Sequence, residues 1–168
     1  MPLRSFYKTS LQVNKSFLLG LFFVLAFLGL LDAGFIAYTH YAHIVPPCIN
    51  NGCELVLTSK YTELAGIPNA VIGIFYYGLV MVLVWMYWKN HKLILTQTTG
   101  PLAFLHQTIP FLLLILTLLG LVAGIYLLYL QAALIHAYCQ YCVTSEVIDF
   151  LLFDCAWWLW RRSEKELH

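Results

Sequence analysis

The chain has 168 residues, room for one domain. Its hydrophobic share is 61% and its charged share 10%, against roughly 45–50% and about 25% in a typical soluble domain. The mean hydropathy of +0.79 excludes a disordered chain and a soluble globular domain. Nine Lys/Arg against eight Asp/Glu leave a net charge of +1 and no basic stripe, which argues against a nucleic-acid partner.

A spanning helix needs about 20 mostly apolar residues to cross a hydrocarbon core roughly 30 Å thick. Four segments are predicted to span, over about residues 17–38, 70–88, 109–130 and 143–160. The first is read as an uncleaved span, because its apolar run exceeds a signal-peptide core and no small-x-small site follows it. The stretch from Pro101 to Ile135 is too long for one untilted span and too short for two. It is read as a single helix with extra turns, its start placed at Pro110, because proline suits a first turn. The fourth span is the least apolar, since it carries Glu146, Asp149 and Asp154.

Charge sets the orientation. Arg4, Lys8 and Lys15 precede span one, Lys89 and Lys92 lie between spans two and three, and Arg161, Arg162 and Lys165 follow span four. Four spans bring all of these to one side and leave only Lys60 on the other. Both termini are therefore expected in the cytoplasm. Two segments face outward: a loop over about residues 41–69, and a short turn over 131–138 without Lys, Arg, Asp or Glu.

That topology puts four of the five cysteines outside, where disulfides persist, and Cys155 deep in span four as a small buried hydrophobe. Cys139-Gln-Tyr-Cys142 opens a helix, where the positive end of the macrodipole favours thiolate. Its two-residue spacing suits exchange better than stapling. Cys48-Ile-Asn-Asn-Gly-Cys53 sits in a loop whose Pro46, Pro47 and Gly52 suit turns and mobility. The four thiols fit a disulfide relay. They also fit two structural disulfides, or a zinc site completed by His40 or His43.

An acid at the centre of a spanning helix costs roughly +2.5 to +3.5 kcal/mol. Glu146 and Asp149 lie four and seven residues after Cys142, on one helical face with it. They are read as inward-facing acids or as proton acceptors beside the thiols. Asp32 and His40 stand eight residues apart near one face of span one, with Asp32 a second possible proton site and His40 interfacial.

Cysteine order gives the most specific signal. Cys48-x4-Cys53 after span one and Cys139-x-x-Cys142 opening span four resemble the vitamin K epoxide reductase family in its bacterial form. The stretch from Cys48 to Tyr61, with Ser59 inside it, is similar to that family's first-loop signature. Gly66-Ile-Pro-Asn69 through Gly73 is similar to its lead into span two, and Tyr138 to Ser145 to its active-site motif. Another four-span quinone reductase family carries the two cysteine motifs in the opposite order.

The resemblance implies an all-α polytopic membrane protein: one domain over residues 1–168, four helices in a bundle, and an outward loop capping the active site. It implies a quinone-dependent, disulfide-forming oxidoreductase with Cys48, Cys53, Cys139 and Cys142 catalytic and no metal. Cys142 faces the quinone (ubiquinone or menaquinone), Cys139 exchanges with Cys53, and Cys48 takes the mixed disulfide with a partner. Ser59 and Asn69 match positions tied to the active loop and the quinone carbonyl, and Glu146 is a further candidate for the quinone site. The loop signature points to a bacterial inner membrane with the cysteine pairs on the periplasmic side. The chain ends soon after Trp160, without the thioredoxin-like domain fused to many relatives, so a separate thioredoxin-fold thiol oxidant is the expected partner. Animal enzymes of the family carry a tyrosine where Glu146 stands, which favours simple quinone reduction over epoxide reduction. The alternative from another class is a non-catalytic membrane protein with structural disulfides or a Cys/His metal site.

Overall fold

The computed structural model describes residues 15–49, 52–64, 66–94 and 101–165, without the side chains of 90–94, 101–107 and 165. Arg4 and Lys8, counted above for orientation, lie outside the described residues, as do the side chains of Lys92 and Lys165.

Four long helices dominate. Helix α1 is Lys15–Tyr41, and a short α2 is Gly52–Leu57. Two-residue strands β1 (Glu63–Leu64) and β2 (Ile67–Pro68) pair antiparallel, Glu63 opposite Pro68 and Leu64 opposite Ile67. Gly66, at φ +82°, makes the turn between them in a region where glycine carries no steric cost. Helix α3 is Asn69–Ile94, α4 is Pro101–Leu130, and α5 is Gln140–Lys165.

Each long helix has 26 to 30 residues, or about 40 Å at 1.5 Å per residue. Three are long and apolar enough to cross a membrane: Lys15–Tyr41, Asn69–Lys89 and Thr108–Ile135. Helix α5 matches them in length, but Glu146, Asp149, Asp154 and its basic end leave it less apolar. Neither α1 nor α4 has a polar face, because one side meets other helices and the other is built to meet lipid. Phe75, 73% exposed, with Leu119, Val122 and Phe150, shows that outer apolar side.

Helix α4 begins at Pro101, with Pro110 inside it, rather than at Pro110. Pro101 takes the first-turn place, where a missing N–H costs no helical bond. An interior proline is tolerated in membrane helices because neighbouring groups re-satisfy the backbone.

The helices contact one another in a ring, α1 on α3 and α5, α4 on α3 and α5. Phe22, Val80, Val84, Leu113, Leu152 and Leu159 fill its interior, and Cys155 is buried among them as an apolar side chain. Small residues let the backbones approach. The Tyr77 ring lies where a side chain on Gly29 would be, so α1 and α3 cross closely there. At one end Lys15 of α1 lies 5.5 Å over the ring of Tyr87 in α3, and Arg161 and Arg162 lie over Trp157 and Trp158. The cysteine motifs lie at the opposite end of these helices.

Replacing Gly29 with valine drives a branched side chain into the Tyr77 ring. Overpacking of this kind costs about 1–3 kcal/mol. The thermal midpoint of Gly29→Val in detergent is expected to fall clearly below wild type. An unchanged midpoint contradicts the close α1–α3 crossing.

Candidate thiol site

The C-x-x-C motif owes its position to the end of α4. There the helix widens into one π-helical turn, Gln131–Ile135, a feature frequent at functional sites. His136 then takes a left-handed conformation at φ 54°. The widened turn places buried Gln131 so that its Oε1 accepts the backbone N–H of Cys139 at 2.9 Å. Nothing in the motif spacing points to Gln131. Its one signal is an uncharged polar residue closing a long apolar run.

Local bonds join parts of the first loop to one another and to α3. The Ser59 hydroxyl donates to the Val56 carbonyl at 2.8 Å, and Thr62 Oγ1 donates to the same carbonyl. Asn69 fastens the loop to the start of α3: its Nδ2 donates to the Tyr61 carbonyl at 2.9 Å and its N–H to the Thr62 carbonyl. Ser59 and Asn69 thus shape the loop that carries the first cysteine pair.

That loop docks on the first turn of α5. Tyr141 OH and Gln140 Nε2 both donate to the Pro47 carbonyl, at 2.8 and 3.3 Å. Gln140 Oε1 accepts the Ile49 N–H. Gly52 lies so close to the Tyr138 carbonyl that a Cβ would collide with it. Cys53, Val56, Ala137 and Cys139 form one buried cluster, with Cys48 and Cys142 packed against it. Cys48, Cys53, Cys139 and Cys142 therefore share a single packed unit. Cys48 and Cys53 form a disulfide, while Cys139 and Cys142 are free thiols. An open cavity of about 320 Å³ lies beside Cys53, lined also by Tyr138, Gln140, Val143 and Thr144.

Cys139 precedes α5 and is held down to about 7 from its ordinary value of 9.0. The first cause is the hydrogen bond from the Cys142 thiol. Burial opposes it, the backbone N–H groups of Cys142 and Tyr141 reinforce it, and the Asp32 charge opposes it. Cys139 is thus the sulfur that carries negative charge, and Cys142 holds the proton.

Beneath the thiols the helices enclose a polar strip. Ser145, one turn after Cys142, donates its hydroxyl to Asp32 Oδ2 of α1 at 2.5 Å. The Tyr77 hydroxyl donates to the Ser145 carbonyl at 3.4 Å, and Tyr77 also faces Asp149. Tyr76 lies near Asp149 short of hydrogen-bond geometry. Glu146 turns towards α4, its carboxyl in the space that a side chain on Gly124 would need. Tyr76 OH, Glu146 Oε2 and Asp149 Oδ1 are buried without a hydrogen-bond partner. The two α1 residues read together, Asp32 and His40, part company. His40 Nε2 lies 3.6 Å from Glu63 Oε1 on β1, away from the thiols. Among the described residues no group of three or more His, Cys, Asp or Glu is placed to hold a metal ion.

The family model of the Vitamin K epoxide reductase family matches residues 20–157. The chain belongs to this family, which makes it a membrane oxidoreductase.

Removing the Cys142 thiol removes the chief cause that lowers Cys139. In the reduced protein, the pH midpoint for alkylation of Cys139 is expected near 7 and should rise towards 9 in Cys142→Ala. A midpoint that stays put contradicts the thiol–thiol hydrogen bond.

Proposed function

We propose that this member of the family is a thiol–quinone oxidoreductase. It takes electrons from a separate thioredoxin-fold thiol oxidant in the periplasm and passes them to a quinone in a bacterial inner membrane. In this reading α5 is the fourth span, both termini are cytoplasmic, and the first loop caps the site. The grouping of Lys15, Arg161 and Arg162 at the end remote from the cysteines supports that orientation. The observation that carries the reading is the packing of the Cys48–Cys53 disulfide and the Cys139/Cys142 dithiol into one buried unit.

The chemistry follows from the sulfurs. A partner thiolate attacks Cys48 and releases Cys53. The partner's second thiol then resolves the mixed disulfide, so the partner leaves oxidised and the loop pair is reduced. When the C-x-x-C pair is itself a disulfide, Cys53 attacks Cys139 and Cys142 leaves as thiolate. Cys48 then closes back on Cys53. The loop is again oxidised and the C-x-x-C pair reduced, the pairing seen here.

A quinone, ubiquinone or menaquinone, supplies a two-electron, two-proton sink positive enough to reoxidise a thiol oxidant as strong as about −120 mV. The residues present fit such a group: Tyr76 OH and Glu146 Oε2 are buried polar atoms still lacking a partner, and a head-group oxygen or hydroxyl satisfies either. Cys142 would face the quinone, while Ser59 and Asn69 would act by holding the loop above it.

Purified protein should oxidise a thioredoxin-fold dithiol only when quinone is added, and Cys142→Ala should abolish that oxidation. Retained quinone-dependent activity in Cys142→Ala overturns the assignment. Metal in stoichiometric amount, with no dithiol oxidation, favours a metal site instead.

A further inference from the structure

The hydrogen bond between the two free thiols leaves a proton in the wrong place. Cys142 donates it to Cys139, yet Cys142 is the sulfur proposed to deliver electrons, and it must lose that proton first. With Cys139 a thiolate, closing the S–S bond removes two electrons and the one proton on Cys142, so an acceptor is needed beside Cys142.

Three interior carboxyl groups compete for that role. Glu146 follows Cys142 by one turn, but its carboxyl is turned onto Gly124 of α4, and its electrostatic neighbours are Asp149 and Tyr76 rather than either thiol. Asp149 lies a further turn down, faced by Tyr76 and Tyr77 of α3. Asp32 is different. Its charge acts on both Cys139 and Cys142. Its Oδ2 accepts the Ser145 hydroxyl at 2.5 Å. Ser145 sits three residues after Cys142, on the same face of α5. The groups facing Asp32 are therefore Cys139 before α5, Cys142 and Ser145 on α5, and Tyr77 of α3 through the Ser145 carbonyl. None of these is a cation.

We propose that Asp32 is the base that takes the Cys142 proton as the C-x-x-C pair closes into a disulfide, with Ser145 as the positioning residue that aims its carboxylate. This rests on the thiol–quinone reading. The two electrons pass to the quinone. The Cys142 proton, the one proton the pair gives up because Cys139 is already a thiolate, passes to Asp32, and the two protons of the quinol come from Asp32 and from water. Asp32 is then neutral until it gives its proton onward. The arrangement also explains a half-buried acid in a helix that is otherwise mostly apolar.

The test is redox-difference infrared spectroscopy on the full chain in detergent, with the C-x-x-C pair oxidised at an electrode and no quinone present. A protonated-carboxyl band should appear on oxidation. It should vanish in Asp32→Asn and in Cys142→Ala, and persist in Glu146→Gln and Asp149→Asn. A band that survives Asp32→Asn, or no band in wild type, overturns the proposal. In a parallel assay, quinone-dependent turnover of Asp32→Asn should fall roughly 10²-fold, the usual scale for losing a general base. Asp32→Glu should recover part of it, and Ser145→Ala should slow turnover while keeping the band. Should Asp32→Asn fail to fold, loss of the band in Asp32→Glu with its return at a shifted frequency makes the same point, and an unshifted band refutes it. If the band behaves as described but quinone is never reduced, the thiol–quinone reading fails and the base stands. If quinone is reduced and Asp32→Asn is fully active, the base fails and the reading stands.

Discussion

The seating of the first loop on the opening turn of α5 is the contact on which the site depends. Pro47 offers a carbonyl with no competing helical partner, and Gln140 and Tyr141 both donate to it. Gly52 permits the loop backbone to meet the Tyr138 carbonyl directly. Without that seat the Cys48–Cys53 disulfide would hang on a tether some thirty residues long. With it, Cys53 and Cys139 belong to one buried cluster. Ser59, Thr62 and Asn69 serve the same end, holding the loop together and fastening it to α3.

The second constraint is the membrane. Each polar group inside the helix ring needs a partner, since hydrocarbon provides none. Ser145 and Asp32 satisfy each other, and Tyr77 reaches Ser145 and Asp149. These contacts need space, and glycine makes it: Gly29 admits the Tyr77 ring and Gly124 admits the Glu146 carboxyl. The polar strip and the glycines are parts of one packing solution. It keeps α5 among the other helices despite its three acids.

Much of this was legible in the sequence. The helices follow from apolar runs, because length and hydropathy decide where a chain can cross a bilayer. The cysteine motifs follow from spacing, and their common end follows from the run of basic residues at the other. What was not legible depends on three-dimensional partners. The widened turn at Gln131 has no spacing signature, though it places the Cys139 amide. The start of α4 is ambiguous in the sequence because two prolines, Pro101 and Pro110, carry the same local signal, and the helix begins at the first. Asp32 and Glu146 were seen as acids, but helical offsets relate residues on one helix only. They could not show that Asp32 meets Ser145, 113 residues away, or that Glu146 turns to α4. The prolines and glycine of the loop mark it as a turn-forming segment, but composition does not announce the side-chain bonds within it and to α3.

The proposed relay requires direct exchange between the loop pair and the C-x-x-C pair. Its most direct measurement is peptide mapping of a Cys48→Ala, Cys142→Ala double variant after mild oxidation. With the other sulfur of each pair removed, Cys53 and Cys139 should be recovered as one disulfide-linked peptide. Recovery of both as unlinked thiols, under conditions that oxidise the wild-type pairs, would show that electrons do not pass between them.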